Sequence, residues 1–141
     1  MKVHEDWFTP KSLVDSLGRF DLDPSSDEPR PWPTAIIHFT KADDGLAKEW
    51  FGRVWMNPPH DKTTPLWVEK FKAHGKGISL LFYQPPMPQG AIVYVLKDRL
   101  AFHRENGKQW HKEQCQCCLI TFDEAEREEI DQSGLVGYYA E

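Results

Sequence analysis

The sequence predicts a single α/β domain whose sheet is parallel in its first half and takes on antiparallel strands in its C-terminal third. Three observations carry this. The short apolar run Phe20–Asp23 stops at a proline and Val54–Met56 at an Asn followed by two prolines, helical spacing flanks them, and this alternation continues through Phe71. After Phe71 the apolar runs Ile78–Tyr83, Ala91–Leu96 and Cys117–Phe122 follow with little helical pattern between them. Finally, the chain has 141 residues, 40% of them hydrophobic, which suffices for one core and argues for one domain spanning residues 1–141.

Taken in order, Met1–Trp7 is a polar lead-in. Thr9 is expected as an N-cap with Pro10 at the first helical position. Leu13, Val14 and Leu17 then fall at helical spacing, and Gly18 ends the helix. Phe20–Asp23 is a short strand stopped by Pro24. Pro24, Pro29, Pro31 and Pro33 exclude regular structure up to Thr34. Ala35–Phe39 is either a brief strand or apolar packing. Asp43 and Asp44 open a short helix running to Trp50, closed by Gly52. Val54–Met56 is a buried strand, and Thr64–Ala73 is an amphipathic helix with Leu66, Trp67 and Phe71 on one side.

The link between Tyr83 and Ala91 is too short for a helical crossover of about a dozen residues. A hairpin of Ile78–Tyr83 with Ala91–Leu96 is therefore expected, unless the two are not sheet neighbours. Asp123–Ile130 is acidic with helical character, and Gly134–Tyr139 is a final short segment. The whole is a Rossmann-like sheet with a reversed edge strand.

Composition excludes some functions. No apolar run reaches the roughly 18 residues of a membrane span, and the first residues lack a signal-like apolar segment, so a cytoplasmic protein is expected. A formal net charge of −5 argues against tight nonspecific binding to nucleic acid, though it leaves room for a local basic patch such as Lys70–Lys76. The three cysteines, Cys115, Cys117 and Cys118, are too closely spaced for a disulfide framework. With His111 they lack the paired C-x-x-C knuckle of a structural zinc site, and no metal is expected.

The chemistry concentrates at Asn57-Pro58-Pro59-His60. Each proline fixes its own φ, lacks an N–H and biases the residue before it away from the helical region. The result is a stiff turn presenting an amide oxygen beside a main-chain carbonyl. Two acceptors so placed are suited to holding a substrate amino group by both of its hydrogens.

Taken together, Thr9-Pro10, Leu22-Asp23-Pro24, Asp43-Asp44-Gly45-Leu46 with Trp50, and Asn57-Pro58-Pro59 resemble, in this order, the phage-encoded DNA N6-adenine methyltransferase (Dam-like) family. The resemblance covers residues from about Glu5 to Phe71, with looser echoes at Ile78–Tyr83 and Asp98–Phe102. It implies a Rossmann-like fold using S-adenosylmethionine as cofactor and double-stranded DNA as partner, with protection of phage DNA from host restriction as its role. Thr9 and Pro10 would meet the amino-acid end of the cofactor. Asp23 and Pro24 would lie near its methionine and ribose, and Asp43 or Asp44 near its adenine. Asn57, Pro58 and Pro59 would form the catalytic loop. His60 stands where the family usually has Tyr or Phe, which stacks on the target base.

Adenine N6 is a poor nucleophile because its lone pair is delocalised into the ring. Acceptance of its hydrogens by the Asn57 side-chain oxygen and the Pro58 carbonyl would draw it toward tetrahedral geometry. The rest is mostly positioning, which contributes several kcal/mol in favourable cases. A homodimer is one way for so compact a domain to complete a DNA-binding surface. The alternative reading is a catalytically inactive relative acting as a binding or inhibitory module, which His60, the short Tyr83–Ala91 link and the acidic balance favour. Methylation of a different amino group shares the same loop chemistry.

Overall fold

In the computed structural model, residues 9–98, 101–103, 109–112 and 116–141 are described. Met1–Phe8, His111 as a side chain and Cys115 lie outside them, as do the side chains of Leu100, Phe102 and His103. The fold is mixed α/β. Its strands are β1 (Leu22–Asp23), β2 (Ile37–His38), β3 (Val54–Met56), β4 (Gly77–Phe82), β5 (Ile92–Leu96), β6 (Ala101–His103), β7 (Gln109–Lys112), β8 (Cys117–Thr121) and β9 (Gly137–Tyr139). Among the described residues there are three α-helices, α1 (Lys11–Ser16), α2 (Thr64–His74) and α3 (Glu126–Gln132).

Seven strands form one sheet in the order β2-β1-β3-β4-β8-β5-β9, while β6 and β7 pair separately. The first four are mutually parallel, with Leu22 facing both Ile37 and Val54, and Trp55 facing Ile78. From β1 the chain moves to one side, into β2, and then returns to the other, into β3. This reversal is a topological switch point, and it leaves a crevice outside the carboxyl ends of β1 and β3.

The expected hairpin between the fourth and fifth strands is not formed. Strand β8 lies between them, antiparallel to both: Leu80 and Tyr94 each face Leu119. β4 and β5 therefore run parallel without touching, joined by residues 83–91. An extended stretch of that length spans about 30 Å, more than the roughly 20 Å of a six-residue strand, so no helix is needed to make the return. The reason for the insertion is burial. Cys117–Thr121 is buried throughout, as is Gly77–Phe82, and placing β8 centrally removes both apolar runs from water. The reversed edge strand is β9, which pairs with β5.

Three local readings change as well. Helix α1 begins at Lys11, with Pro10 as its flanking residue and no capping side chain, so Thr9 is not an N-cap. The segment from Asp43 to Trp50 forms only a 3-10 turn at Gly45–Ala47. On α2, Trp67 and Phe71 are buried one turn apart, but Leu66 is 60% exposed, since it points a residue away from their stripe. Gly75 closes α2 in the left-handed conformation (φ 77°) that glycine adopts without strain.

The core is centred on Trp55, Phe20, Phe71, Leu17 and Leu119. Helix α3 is fastened to the amino end of β3 by Arg53. Its guanidinium makes a bidentate contact with the buried Glu126 carboxylate (2.7 and 2.8 Å) and lies 4.1 Å above the Phe20 ring. Among the described residues no helix is long and apolar enough to cross a membrane. Cys117 and Cys118 are buried in β8, and burial pushes the Cys118 thiol up to about 12.

Candidate active site

Proline lies on both sides of the switch-point crevice. Pro24 ends β1 and Asn57-Pro58 follows β3, so Asp23, the last residue of β1, and Asn57, the first beyond β3, both stand at the carboxyl ends of two neighbouring parallel strands. Asn57 is only 5% exposed. Its Nδ2 donates to Thr9 Oγ1 at 2.8 Å, and its main-chain carbonyl accepts from Ser25 Oγ at 3.1 Å. With Nδ2 held by Thr9, the oxygen Oδ1 is the atom left over. It is buried and has no hydrogen-bond partner among the described residues. The same is true of Trp55 Nε1, in β3 two residues earlier. Buried polar groups are almost always paired, and both of these atoms belong to residues that line one crevice.

The remaining expected site residues divide into two groups. Thr9, Asp23 and Asn57 line the crevice. The buried Asp23 carboxylate accepts from the Ser25 N–H at 3.1 Å and from the Thr34 hydroxyl. Pro10 flanks α1, and Pro24 packs with its carbonyl against Gly45, where any side chain would collide. Asp43 and Asp44 are exposed and do not line the crevice. Asp43 accepts the Thr40 N–H at 2.8 Å, and that bond holds its carboxyl below the usual carboxylate range. Asp44 sits in the left-handed region (φ 56°) at the start of the 3-10 turn. Beyond Asn57, Pro58 is buried and Pro59 half-buried, the latter accepting from Thr64 Oγ1 at 2.7 Å. His60 is exposed and meets Phe82 edge to face, with ring centroids 4.3 Å apart.

A strap of chain, residues 25–34, lies over the crevice. Trp32 Nε1 donates to the Thr9 carbonyl at 3.0 Å, and Arg30 bonds within the strap to Ser26 Oγ (3.3 Å) and the Asp27 carbonyl (2.8 Å). At its far end the N–H groups of Thr34 and Ala35 both point at His38 Nε2, at 3.1 and 3.3 Å. An imidazole nitrogen accepting in this way must be unprotonated. Burial, and secondarily Arg30, lower the His38 pKa to about 4. With the strap in place the crevice holds about 20 Å³, room for a water-sized group.

S-adenosylmethionine fits this donor set better than it fits this volume. Carboxylates at Asp23 and Asp27 suit an ammonium, and Arg30 with the Ser26 and Thr9 hydroxyls suits a carboxylate. A nucleoside has no room until the strap moves aside. Residues that sequence reasoning passed over are Ser25, Trp32, Thr34, His38 and Trp55. For Trp55 the available signal was parity, since residues two apart on a strand share a face; the strap residues had no such signal. Comparison of the chain with protein-family models, with curated proteins and with solved structures finds no match.

Proposed function

We propose that this chain is an S-adenosylmethionine-dependent methyltransferase acting on the N6 amino group of adenine in DNA. The observation that carries the reading is Asn57 Oδ1: a buried acceptor without a partner among the described residues, just beyond the carboxyl end of β3, beside a switch-point crevice and ahead of two prolines. Asn57 accepts one hydrogen of the amino group, with the Pro58 carbonyl as the second acceptor, and the stiff turn aims the nitrogen lone pair. The Asn57 amide nitrogen is held by the Thr9 hydroxyl. The cofactor supplies an electrophilic methyl group; its sulfur keeps the S–C electron pair, and one N6 proton leaves to solvent. The base reaches the loop by leaving the duplex, and the exposed His60 ring offers it a partial stacking surface. Protection of phage DNA from host restriction is the biological role this reading carries.

The closed crevice favours a second reading, a methyltransferase-like fold kept as a binding or inhibitory module. Both are tested by titrating S-adenosylmethionine in a calorimeter and incubating labelled cofactor with unmethylated duplex DNA. Heat of binding together with label recovered as N6-methyladenine supports the enzyme. Absence of both leaves the module, and binding without transfer points to another amino group.

A further inference from the structure

The second orphan of the crevice, Trp55 Nε1–H, deepens this reading and rests on it. Trp55 is fully buried, and its indole packs against the Phe20 ring at a centroid distance of 5.5 Å. Trp55, in β3, and Asn57, the residue that follows β3, line the same crevice, and Trp55 Nε1 and Asn57 Oδ1 are both buried without a partner among the described residues. One is a donor only; the other, with Nδ2 engaged by Thr9, is an acceptor only. A lone acceptor takes any amine. A fixed donor beside a fixed acceptor takes something narrower: a planar group whose N–H lies next to an atom with a lone pair. Leaving either atom unmatched under a bound ligand keeps a buried polar group unpaired.

We infer that Trp55 is a specificity-determining residue, whose indole N–H pairs with the ring nitrogen adjacent to the substrate amino group while Asn57 Oδ1 takes the amino hydrogen. The substrate class is thus an amidine edge, H–N–C=N, as adenine presents through N6 with either N1 or N7. Alkylamines, which have no neighbouring acceptor, are excluded. Sites built around a polar contact reject analogues that lack it far more strongly than apolar pockets reject a missing methylene.

The test compares methyl transfer to DNA carrying adenine, 1-deazaadenine or 7-deazaadenine at the target, with the wild-type protein and with Trp55→Phe. The wild type is expected to lose about tenfold or more in kcat/KM on one of the two deaza substrates, which identifies the edge that is read. Trp55→Phe is expected to lose a similar factor on adenine and to lose nothing further on that same deaza substrate. Equal rates of the wild type on all three substrates would overturn the inference, and this arm needs no variant to fold. So would a Trp55→Phe protein, folded by its thermal transition, whose only change is a raised KM for the cofactor, since that would put the indole at the cofactor instead. No transfer by the wild type to any substrate overturns the methyltransferase reading and this inference with it, an outcome distinct from transfer without discrimination.

Discussion

Asn57 donates through Nδ2 to the hydroxyl of Thr9 at 2.8 Å, across 48 residues of chain. This bond joins the approach to α1 to the loop after β3, and it engages the amide nitrogen while Oδ1 has no partner among the described residues. Thr9→Val removes the acceptor at nearly constant volume. The Nδ2 group is left buried and unpaired, so a stability loss of about 1–3 kcal/mol is expected in denaturant titrations. Losing that hydroxyl should lower kcat and raise the cofactor KM, and Thr9→Ser, which keeps the hydroxyl, should restore stability and both kinetic constants. Unchanged kcat in a folded Thr9→Val protein would separate this bond from function.

The strap should move as a unit, because Arg30 braces it internally and Trp32 ties it to Thr9. Trp32→Phe keeps the ring and removes the tie. Stability should drop by about 0.5–1.5 kcal/mol. Stopped-flow binding of S-adenosylmethionine should show a faster association rate in the variant; an identical rate would mean that the strap does not gate entry.

His38 gives the fold an acid sensitivity with a defined sign. Its folded pKa, near 4, lies below the ordinary value of 6.5, so between these values the unfolded chain binds the extra proton. The stability it contributes is full above about pH 6.5 and is lost as the pH falls toward 4. Urea midpoints of the wild type measured at pH 7 and pH 4.5 should therefore differ by more than those of His38→Phe. Equal differences would contradict the hydrogen-bonding role assigned to Nε2.

Arg53 and Glu126 form an ion pair whose side chains are 14% and 4% exposed. Glu126→Leu alone strands a guanidinium and should cost about 3–5 kcal/mol. Replacing both, as Arg53→Met with Glu126→Leu, should recover much of that loss, because no charge is then left uncompensated. Additive losses in the double variant would show that the two side chains act independently.

The sequence was most readable where local chemistry is decisive. Proline at 24 ends β1, Asn57 with proline at 58 follows the end of β3, and glycine at 75 ends α2; the first two stops put Asp23 and Asn57 at the carboxyl ends of neighbouring strands. Parity and spacing also find Trp67 and Phe71 on one helix face. What local rules missed was settled by distant partners. Ile78–Tyr83 and Ala91–Leu96 look like a hairpin until Cys117–Thr121 is available to lie between them. Thr9 looks like a helix cap until Asn57 arrives 48 residues later to claim its hydroxyl. The strap over the crevice is set by prolines that exclude helix and strand but do not say where the loop lies. The Asn57 loop itself was legible as a motif; its orphaned oxygen was not, because burial is a property of the fold.

The proposed activity rests on Asn57 Oδ1 holding the amino group that is methylated. The most direct measurement is transfer of labelled methyl from S-adenosylmethionine to unmethylated duplex DNA by Asn57→Ala beside the wild type, with thermal unfolding and cofactor binding measured on both. The expected result is N6-methyladenine from the wild type and a loss of at least about a hundredfold in kcat for Asn57→Ala, with cofactor binding retained. A folded Asn57→Ala protein that methylates DNA at the wild-type rate would contradict that role.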